Sequence, residues 1–227
     1  MAEQKARISC LATGNGSNLQ ALIDACHSGT IPGTIVKVTV NRKDAYAVKR
    51  AEAATPSIPT DYFNLVKHGF ISAGEKDPEK VKDARFRYDA ALAERILADK
   101  PDLIVLAGWM HVMSTGFLDP VSAAGVPIIN LHPALPGMYD GAGAITRAYE
   151  DFQAGKLANN TTGIMIHYVI KEVDRGEPIE TQEIVIYEGE SLEQLEARIH
   201  EEEHKLIVKA TAKLAQGIIS AKRSAAS

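Results

Sequence analysis

The sequence predicts an α/β fold: a Rossmann-like, mostly parallel twisted sheet with helices on both faces and an antiparallel addition near the C-terminus. Three observations lead to this prediction. Short apolar runs alternate with segments in which apolar residues recur at helical spacing. The run 103–107 is apolar throughout, which is typical of a central parallel strand buried on both faces. Near the end of the chain, a polar loop without a helix joins the strand-like segments 162–170 and 179–187, as between antiparallel strands.

Each predicted element has a local signal. Asp77 followed by Pro78 is a typical helix start, with the carboxylate as N-cap and the proline in the first turn. Asp44 can cap a helix in the same way, and Ser191 with Gln194 forms a capping box. The predicted strands span 7–12, 35–40, 58–65, 103–107, 126–131, 162–170 and 179–187. The predicted helices span 19–27, 45–54, 78–99, a short segment after Ser114, 144–154 and a last segment after Ser191.

Length and composition favour one globular unit. The 227 residues are expected to form a single domain over 1–220, with an exposed insertion at 66–76 and a flexible tail at 221–227. The net charge of −4 gives no basic footprint for nucleic acid. The chain has neither an apolar signal core at its start nor an apolar run long enough to span a membrane. Cys10 and Cys26 lack metal-ligand spacing. We therefore expect a cytoplasmic protein without nucleic-acid or membrane partners.

The stretch from Ile128 to Gly137 organises the rest of the chain. Within it, Asn130 and His132 stand where a buried strand ends and a loop with a Pro–Gly turn begins. Their spacing of two directs both side chains to the same side of an extended backbone. An amide donor and an imidazole therefore meet at the carboxyl end of a strand, where open α/β sheets bind ligands. Taken alone, the pair fits a capped strand and a proline-rigidified loop equally well.

A glycine-containing turn follows the first predicted strand. Gly14 and Gly16 allow a close approach of the backbone, and the start of the next helix favours an anion. The same turn also fits a tight loop capped by Ser17 or Asn18. A dinucleotide fingerprint has a third glycine where this chain has leucine at position 19, so NAD is not expected. Arg42 leaves NADP open, but a single phosphate monoester fits the short loop better.

A zinc motif also occurs in the last predicted helix. His200 and His204 fit the H-E-x-x-H pattern, with both imidazoles on one helix face. The three glutamates between them are typical of a solvated helix face, and no third ligand is apparent. We therefore expect no metal.

Three features occur in a specific order along the chain. They are Gly14–Asn18 after the first strand, Asn130 and His132 followed by Pro133, and Asp174 before Gly176. The combination resembles the glycinamide ribonucleotide formyltransferases, also called phosphoribosylglycinamide formyltransferases, from residue 8 to residue 207. The resemblance implies that a monomer or homodimer transfers a formyl group from 10-formyltetrahydrofolate to the amine of glycinamide ribonucleotide, without a metal.

The resemblance also implies residue roles. Asn130 and His132 are expected to stabilise the tetrahedral oxyanion, and Asp174 to tune His132 and assist proton transfer. The N-terminal half is expected to bind phosphate, and the C-terminal half to bind folate and carry catalysis. The expected phosphate contacts are Gly14, Asn15, Gly16, Ser17 and Asn18. The expected ribose and glycinamide contacts are Met110, Pro133, His200 and Glu203. The expected folate contacts are Arg85, Met110, His111, Val112, Met113, Asn130, Ile170, Lys171, Glu172, Val173 and Asp174.

Some positions depart from the commoner family pattern. His111 stands where many members have arginine, and His200 where many have a glutamine-like residue. These departures resemble the fungal-type branch.

Three other functions are compatible with parts of the sequence. A formyltetrahydrofolate hydrolase would use a similar catalytic trio but gives no reason for the phosphate loop. A methionyl-tRNA formyltransferase would need a further domain with a basic face. A non-catalytic phosphosugar sensor would not need Asn130, His132 and Asp174 together.

Overall fold

A computed structural model describes residues 4–225, which form one sheet surrounded by helices. The strands are β1 (Ala6–Ala12), β2 (Gly33–Val40), β3 (Thr60–Tyr62), β4 (Leu103–Leu106), β5 (Ile128–His132), β6 (Thr161–Tyr168) and β7 (Pro178–Val185). The helices are α1 (Ser17–Ser28), α2 (Tyr46–Ala53), α3 (Pro78–Ala98), α4 (Thr115–Ala123), α5 (Ala144–Gln153) and α6 (Leu192–Ala225), with a 3₁₀ turn at Ala158–Asn160.

The strand order confirms the predicted fold class. The strands lie in the order β3-β2-β1-β4-β5-β6-β7. The first five strands of this order pair in parallel, whereas β6 pairs antiparallel with both β5 and β7. Leu103–Leu106 is buried along its whole length, as expected of a central strand. Apolar residues of α1, α2 and α6 pack on one face of the sheet, and those of α3 and α4 pack on the other.

The topology determines where a ligand can bind. From β1, the chain continues to β2 on one side of the sheet and later to β4 on the other. In parallel sheets, a crevice opens at such a switch point, beyond the carboxyl ends of the strands. The segments that leave β1, β4 and β5 all start at this edge. The first two carry the glycine-containing turn and residues 107–113, and the Asn130–His132 pair lies at the end of β5 itself.

The predicted cap of α2 is wrong. The helix begins at Tyr46 after Ala45, and no side chain caps it, so Asp44 does not fill this role. The backbone N–H of Ala47 instead donates to the carbonyl of Gly14 at 3.2 Å. The glycine-containing turn therefore satisfies a donor that an isolated helix would leave to a capping side chain.

The third strand and the C-terminal boundary also differ from the predictions. β3 covers only three residues rather than 58–65. It is an edge strand directly after Pro59, which has no N–H to donate to a sheet. Helix α6 continues to Ala225, so residues 221–225 are helical rather than frayed, and residues 226–227 lie outside the described part. No helix among the described residues is long and apolar enough to cross a membrane.

The insertion at 66–76 is mostly exposed, as predicted, and is built from turns. Phe70 is its anchor to the rest of the fold. Its ring lies 5.6 Å, centroid to centroid, from the rings of both Phe63 and Tyr88.

The cap of α3 yields a stability prediction with a matched control. The Asp77 carboxylate accepts hydrogen bonds from the N–H groups of Glu79 and Lys80, at 3.0 and 3.4 Å. Asp77→Ala should therefore cost about 1 kcal/mol of unfolding free energy, which lowers the melting temperature by about 2–4 °C. Asp44→Ala removes a carboxylate that caps nothing and should leave the melting temperature unchanged. Thermal unfolding of both variants checks this, and equal losses would contradict the assignment of the caps.

Candidate active site

Strand pairing brings Asn130 and His132 to a third polar residue. In the antiparallel pair β5–β6, Asn130 lies opposite His167, and His132 lies opposite Met165. Residues directly opposite each other project from the same face of a sheet. An amide and two imidazoles therefore share one face at the carboxyl end of β5. Both histidines are buried, whereas Asn130 is half-buried.

Asp174 places its carboxylate between the two imidazoles. Its Oδ2 lies 3.3 Å from Nδ1 of His132, and its Oδ1 lies 3.5 Å from Nε2 of His167. The remaining ring nitrogens face backbone carbonyls: Nε2 of His132 is 3.1 Å from the oxygen of Met138, and Nδ1 of His167 is 2.9 Å from that of Tyr168. Both N–H groups of a protonated imidazole at position 132 thus find acceptor oxygens.

The charge of Asp174 is stabilised locally. Burial alone raises the pKa of its carboxyl group, but the nearby imidazole of His167, the hydrogen bond from the Gly141 N–H and the charge of His132 bring the pKa below its ordinary value. The Gly141 N–H lies 2.8 Å from Oδ2. Asp174 has a left-handed backbone, with φ of 56°, which a short polar side chain tolerates better than a branched one. The site therefore contains a fixed negative charge beside His132.

The Asn130 amide is the free donor of this group. Within residues 4–225 its side chain makes no hydrogen bond. Pro133, which follows His132, is half-buried at the start of the next loop. A ligand at the end of β5 could therefore use the Asn130 N–H₂ without breaking an existing bond.

The glycine-containing turn has the shape of an anion site. Gly16 has a φ of 74°, and a Cβ added there would lie 2.9 Å from the Cβ of Ala47, so only glycine fits. Helix α1 then begins at Ser17 without a capping side chain. The predicted alternative, in which Ser17 or Asn18 caps the turn, is therefore wrong. The N–H groups of the first turn of α1 stay available to an anion.

Arg50 supports this turn from α2. Its Nε donates to the backbone oxygen of Asn15 at 2.9 Å, and its Nη2 donates to the side-chain oxygen of Asn15 at 2.7 Å. The guanidinium therefore fixes Asn15 at two points and adds positive charge beside the turn.

Helix α6 reaches the same turn through Glu203. The side chain of Asn18 lies beside Glu203, which is buried. Burial raises the pKa of Glu203, and the positive charge of exposed His200 opposes this effect. Burial lowers the pKa of His204, as do the charges of His200 and Arg50. Within the described residues, no group of three or more His, Cys, Asp or Glu side chains could hold a metal ion.

The segment after β4 divides into exposed and anchored residues. Met110 and Val112 are 82% and 60% exposed, unusual values for such apolar side chains, and can face a ligand. Met113, which was predicted to contact the folate, is buried in the core between the sheet and helices α3 and α4. Its side chain is therefore packed against the protein interior. Arg85 lies close by and donates to the carbonyl of Val112 at 3.3 Å.

His111 is turned toward the protein interior. Its Nε2 lies 3.2 Å from Oδ1 of Asp89, a fully buried carboxylate that also accepts from the Ser114 N–H at 2.7 Å. Asp89 therefore anchors both ends of the turn 111–114. A second set of predicted folate contacts, from Ile170 to Val173, is exposed throughout.

Sequence reasoning missed His167, Arg50 and Asp89. A lone histidine in the otherwise apolar segment 164–168, and a lone aspartate on the apolar face of a long helix, were signals in the sequence. Their partners lie on other elements, so only the strand register and the helix packing reveal what they contact.

The chain is similar to known proteins along most of its length. The family model for formyl transferases matches residues 6–211. The phosphoribosylglycinamide formyltransferase of Schizosaccharomyces pombe is 44% identical over 207 residues, which cover 90% of this chain and 95% of that relative. The enzyme of that name from Escherichia coli is 32% identical over 199 residues, covering 88% and 82%. Glycinamide ribonucleotide transformylase 1 from Symbiobacterium toebii has a similar structure, with a TM-score of 0.76 and 31% identity, covering 96% of this chain and 90% of that one.

The raised pKa of Glu203 yields a second stability prediction. A carboxyl whose pKa is higher in the folded than in the unfolded state stabilises the fold fully below the unfolded pKa, about 4.3. This contribution is lost as pH rises through the folded pKa. Glu203→Gln should therefore raise the melting temperature relative to wild type at about pH 8 but not at about pH 4.

Glu202→Gln is the matched control, because hydrogen bonds from Lys205 and Gln182 lower the pKa of Glu202. That variant should show the opposite sign near neutral pH. Melting temperatures that change identically in the two variants would contradict the assignment of a raised pKa to Glu203 through its burial.

Proposed function

Because the chain belongs to the formyl transferase family, and within it to the phosphoribosylglycinamide formyltransferases, we propose that it transfers the formyl group of 10-formyltetrahydrofolate to the amine of glycinamide ribonucleotide in purine biosynthesis. The chain is a formyltransferase, so a one-carbon transfer is the reaction that its site has to support. The folate is a cosubstrate in this proposal, and no metal takes part.

The observation that carries the proposal is the meeting of Asn130, His132 and Asp174 at the carboxyl end of β5. Formyl transfer to an amine needs a donor for an oxyanion and a route for protons. Asn130 and His132 come from one strand and Asp174 from a distant loop, and they supply an amide N–H, an imidazole and a carboxylate whose pKa is lowered. The combination matches the chemistry of the reaction.

The reaction balances with these groups. The amine nitrogen attacks the formyl carbon, a C–N bond forms, and the carbonyl electron pair moves to oxygen. The Asn130 amide and the imidazole of His132 donate to this oxyanion, and the loss of one such donor typically costs about 3 kcal/mol of barrier. As the oxyanion collapses, the bond to N10 of the folate breaks. The amine loses one proton, and N10 gains one.

Asp174 has two proposed roles in this reaction. Its carboxylate faces Nδ1 of His132 and orients the ring. As an ionised carboxylate near the reacting centre, it can also take the proton of the amine through a water molecule. In the free protein, the Met138 carbonyl accepts a hydrogen bond from Nε2 of His132. This hydrogen bond has to break before the same N–H can donate to the oxyanion.

The glycine-containing turn is the proposed phosphate site. The N–H groups of this turn and of the first residues of α1, from Gly14 to Asn18, would bind the phosphate of glycinamide ribonucleotide. Glu203, which is buried beside Asn18, is the proposed acceptor for the ribose hydroxyls. His200 is exposed next to it and is the second proposed contact on α6.

The folate is proposed to lie across the remaining edge of the cleft. Exposed Met110 and Val112 form one apolar wall, and 170–173 forms the other, with Arg85 beside the first wall. Residues 1–220 are proposed to act as one domain, with phosphate binding in the first half and folate binding and catalysis in the second. A cytoplasmic location remains a prediction.

A formyl-transfer assay with purified protein, 10-formyltetrahydrofolate and glycinamide ribonucleotide tests the proposal. Formylated ribonucleotide should form only when both substrates are present. Release of formate at the same rate without glycinamide ribonucleotide would identify a hydrolase instead.

The same assay tests the catalytic roles. Asn130→Ala and His132→Ala should each lower kcat by about 10²- to 10³-fold, with little change in KM for glycinamide ribonucleotide. His27→Ala, an exposed imidazole at the end of α1, is the control and should retain wild-type kcat. Near-normal turnover in either of the first two variants would overturn the roles given to those residues.

A further inference from the structure

Two loops meet at the proposed catalytic groups. The glycine loop, residues 137–143, lies between β5 and α5, and the Asp174 loop, residues 169–177, joins β6 to β7. The Met138 carbonyl of the glycine loop lies 3.1 Å from Nε2 of His132. The Gly141 N–H of the same loop donates to the Asp174 carboxylate at 2.8 Å. The glycine loop therefore touches both the imidazole and the carboxylate, and its position affects the distance between them.

The glycine loop depends on outside contacts for its shape. Gly137, Gly141 and Gly143 all have φ between 69° and 80°, and Tyr139 has φ of 52°. Glycine is conformationally permissive, so the three glycines of this loop add few local restraints to its backbone. Arg147 of α5 holds one side, where its Nη2 donates to the backbone oxygens of Tyr139 and Asp140 at 2.5 and 2.8 Å.

The other side of the glycine loop is held by Arg175. Its Nε lies 2.5 Å from Oδ2 of Asp140. Its Nη1 lies 3.6 Å from the position that a Cβ on Gly137 would take. The second carboxylate oxygen of Asp140 is buried, and it has no hydrogen-bond partner among residues 4–225. Arg175 is therefore the partner that holds this carboxylate in place.

The ion pair and the catalytic contact lie side by side. Arg175 directly follows Asp174, and Asp140 directly precedes Gly141. Two neighbouring residues of one loop thus bind two neighbouring residues of the other, through the Arg175–Asp140 pair and the Asp174–Gly141 hydrogen bond. An isolated exposed ion pair usually contributes little to stability. Here the pair constrains the backbone beside a carboxylate that must be oriented.

We propose that Arg175 is a positioning residue for formyl transfer: through Asp140 it fixes the Asp174 loop against the glycine loop and so holds the Asp174 carboxylate beside His132. This inference rests on the proposed function, because it assigns the pair a role in that reaction. A purely structural ion pair would affect stability but not the catalytic step.

Four variants in the formyl-transfer assay test the inference: Arg175→Ala, Asp140→Ala, the double variant, and Arg175→Lys. Small displacements of catalytic groups cost large factors in rate. Arg175→Ala and Asp140→Ala should each lower kcat by roughly tenfold, with KM for glycinamide ribonucleotide nearly unchanged. The double variant should be no slower than either single variant, because both remove the same contact. Arg175→Lys, which keeps the charge, should stay within about threefold of wild type.

The pH profile separates positioning from a loss of structure. The lowered pKa of Asp174 depends on the Gly141 N–H and on the two histidines. If the loops separate, this pKa rises, and the acid-side fall of kcat should move to higher pH in Arg175→Ala. Arg87→Ala is the control, since it removes an ion pair with Asp83 on the surface of α3 and should leave both kcat and the profile unchanged.

The outcomes distinguish the two proposals. Absence of formylated product with wild-type protein would overturn the proposed function. Active wild-type protein with an Arg175→Ala variant of normal kcat and normal pH profile would overturn only the role of Arg175. A double variant whose loss in kcat equals the product of the two single losses would also overturn it, since the two residues would then act independently.

Discussion

The carboxylate of Asp174 is the constraint on which the proposed site depends. It is largely buried, lies within 3.5 Å of two imidazoles and accepts a backbone N–H. A negative charge in such surroundings is stable only because these groups compensate the loss of water. The same contacts orient His132 and bring the two adjacent loops together. The contacts that compensate the buried charge are therefore the same contacts that set the proposed catalytic geometry.

The sheet fixes the relative positions of the polar side chains on β5 and β6. β5 carries Asn130 and His132 on rigid backbone, and the register with β6 adds His167 opposite Asn130. The turn after β1 and the segment after β4 reach the same edge because the strands are parallel and the chain changes direction between them. The proposed phosphate site, the proposed cosubstrate site and the proposed catalytic groups therefore all lie at this edge of the sheet.

Local sequence signals predicted the elements well wherever one residue type determines the structure. Asp77 and Ser114 cap their helices, and Ser191 and Gln194 form the predicted capping box. The predictions failed where a contact with a distant segment determines the local structure. Asp44 is not a cap because Gly14 serves α2 instead.

The same distinction applies to the site. The pattern around Asn130 and His132 pointed to an amide and an imidazole on one side of a strand end. Asp174 became a candidate only through the family resemblance, because a turn-forming aspartate before glycine is common. His167 and Arg175 act across strand and loop pairings, which no local pattern encodes. The most direct test of the account is a crystal structure of the protein with glycinamide ribonucleotide and an unreactive analogue of 10-formyltetrahydrofolate. The oxygen of the transferred group is expected within about 3 Å of the Asn130 amide and within reach of His132. An analogue bound with that group away from both side chains would contradict the proposed mechanism.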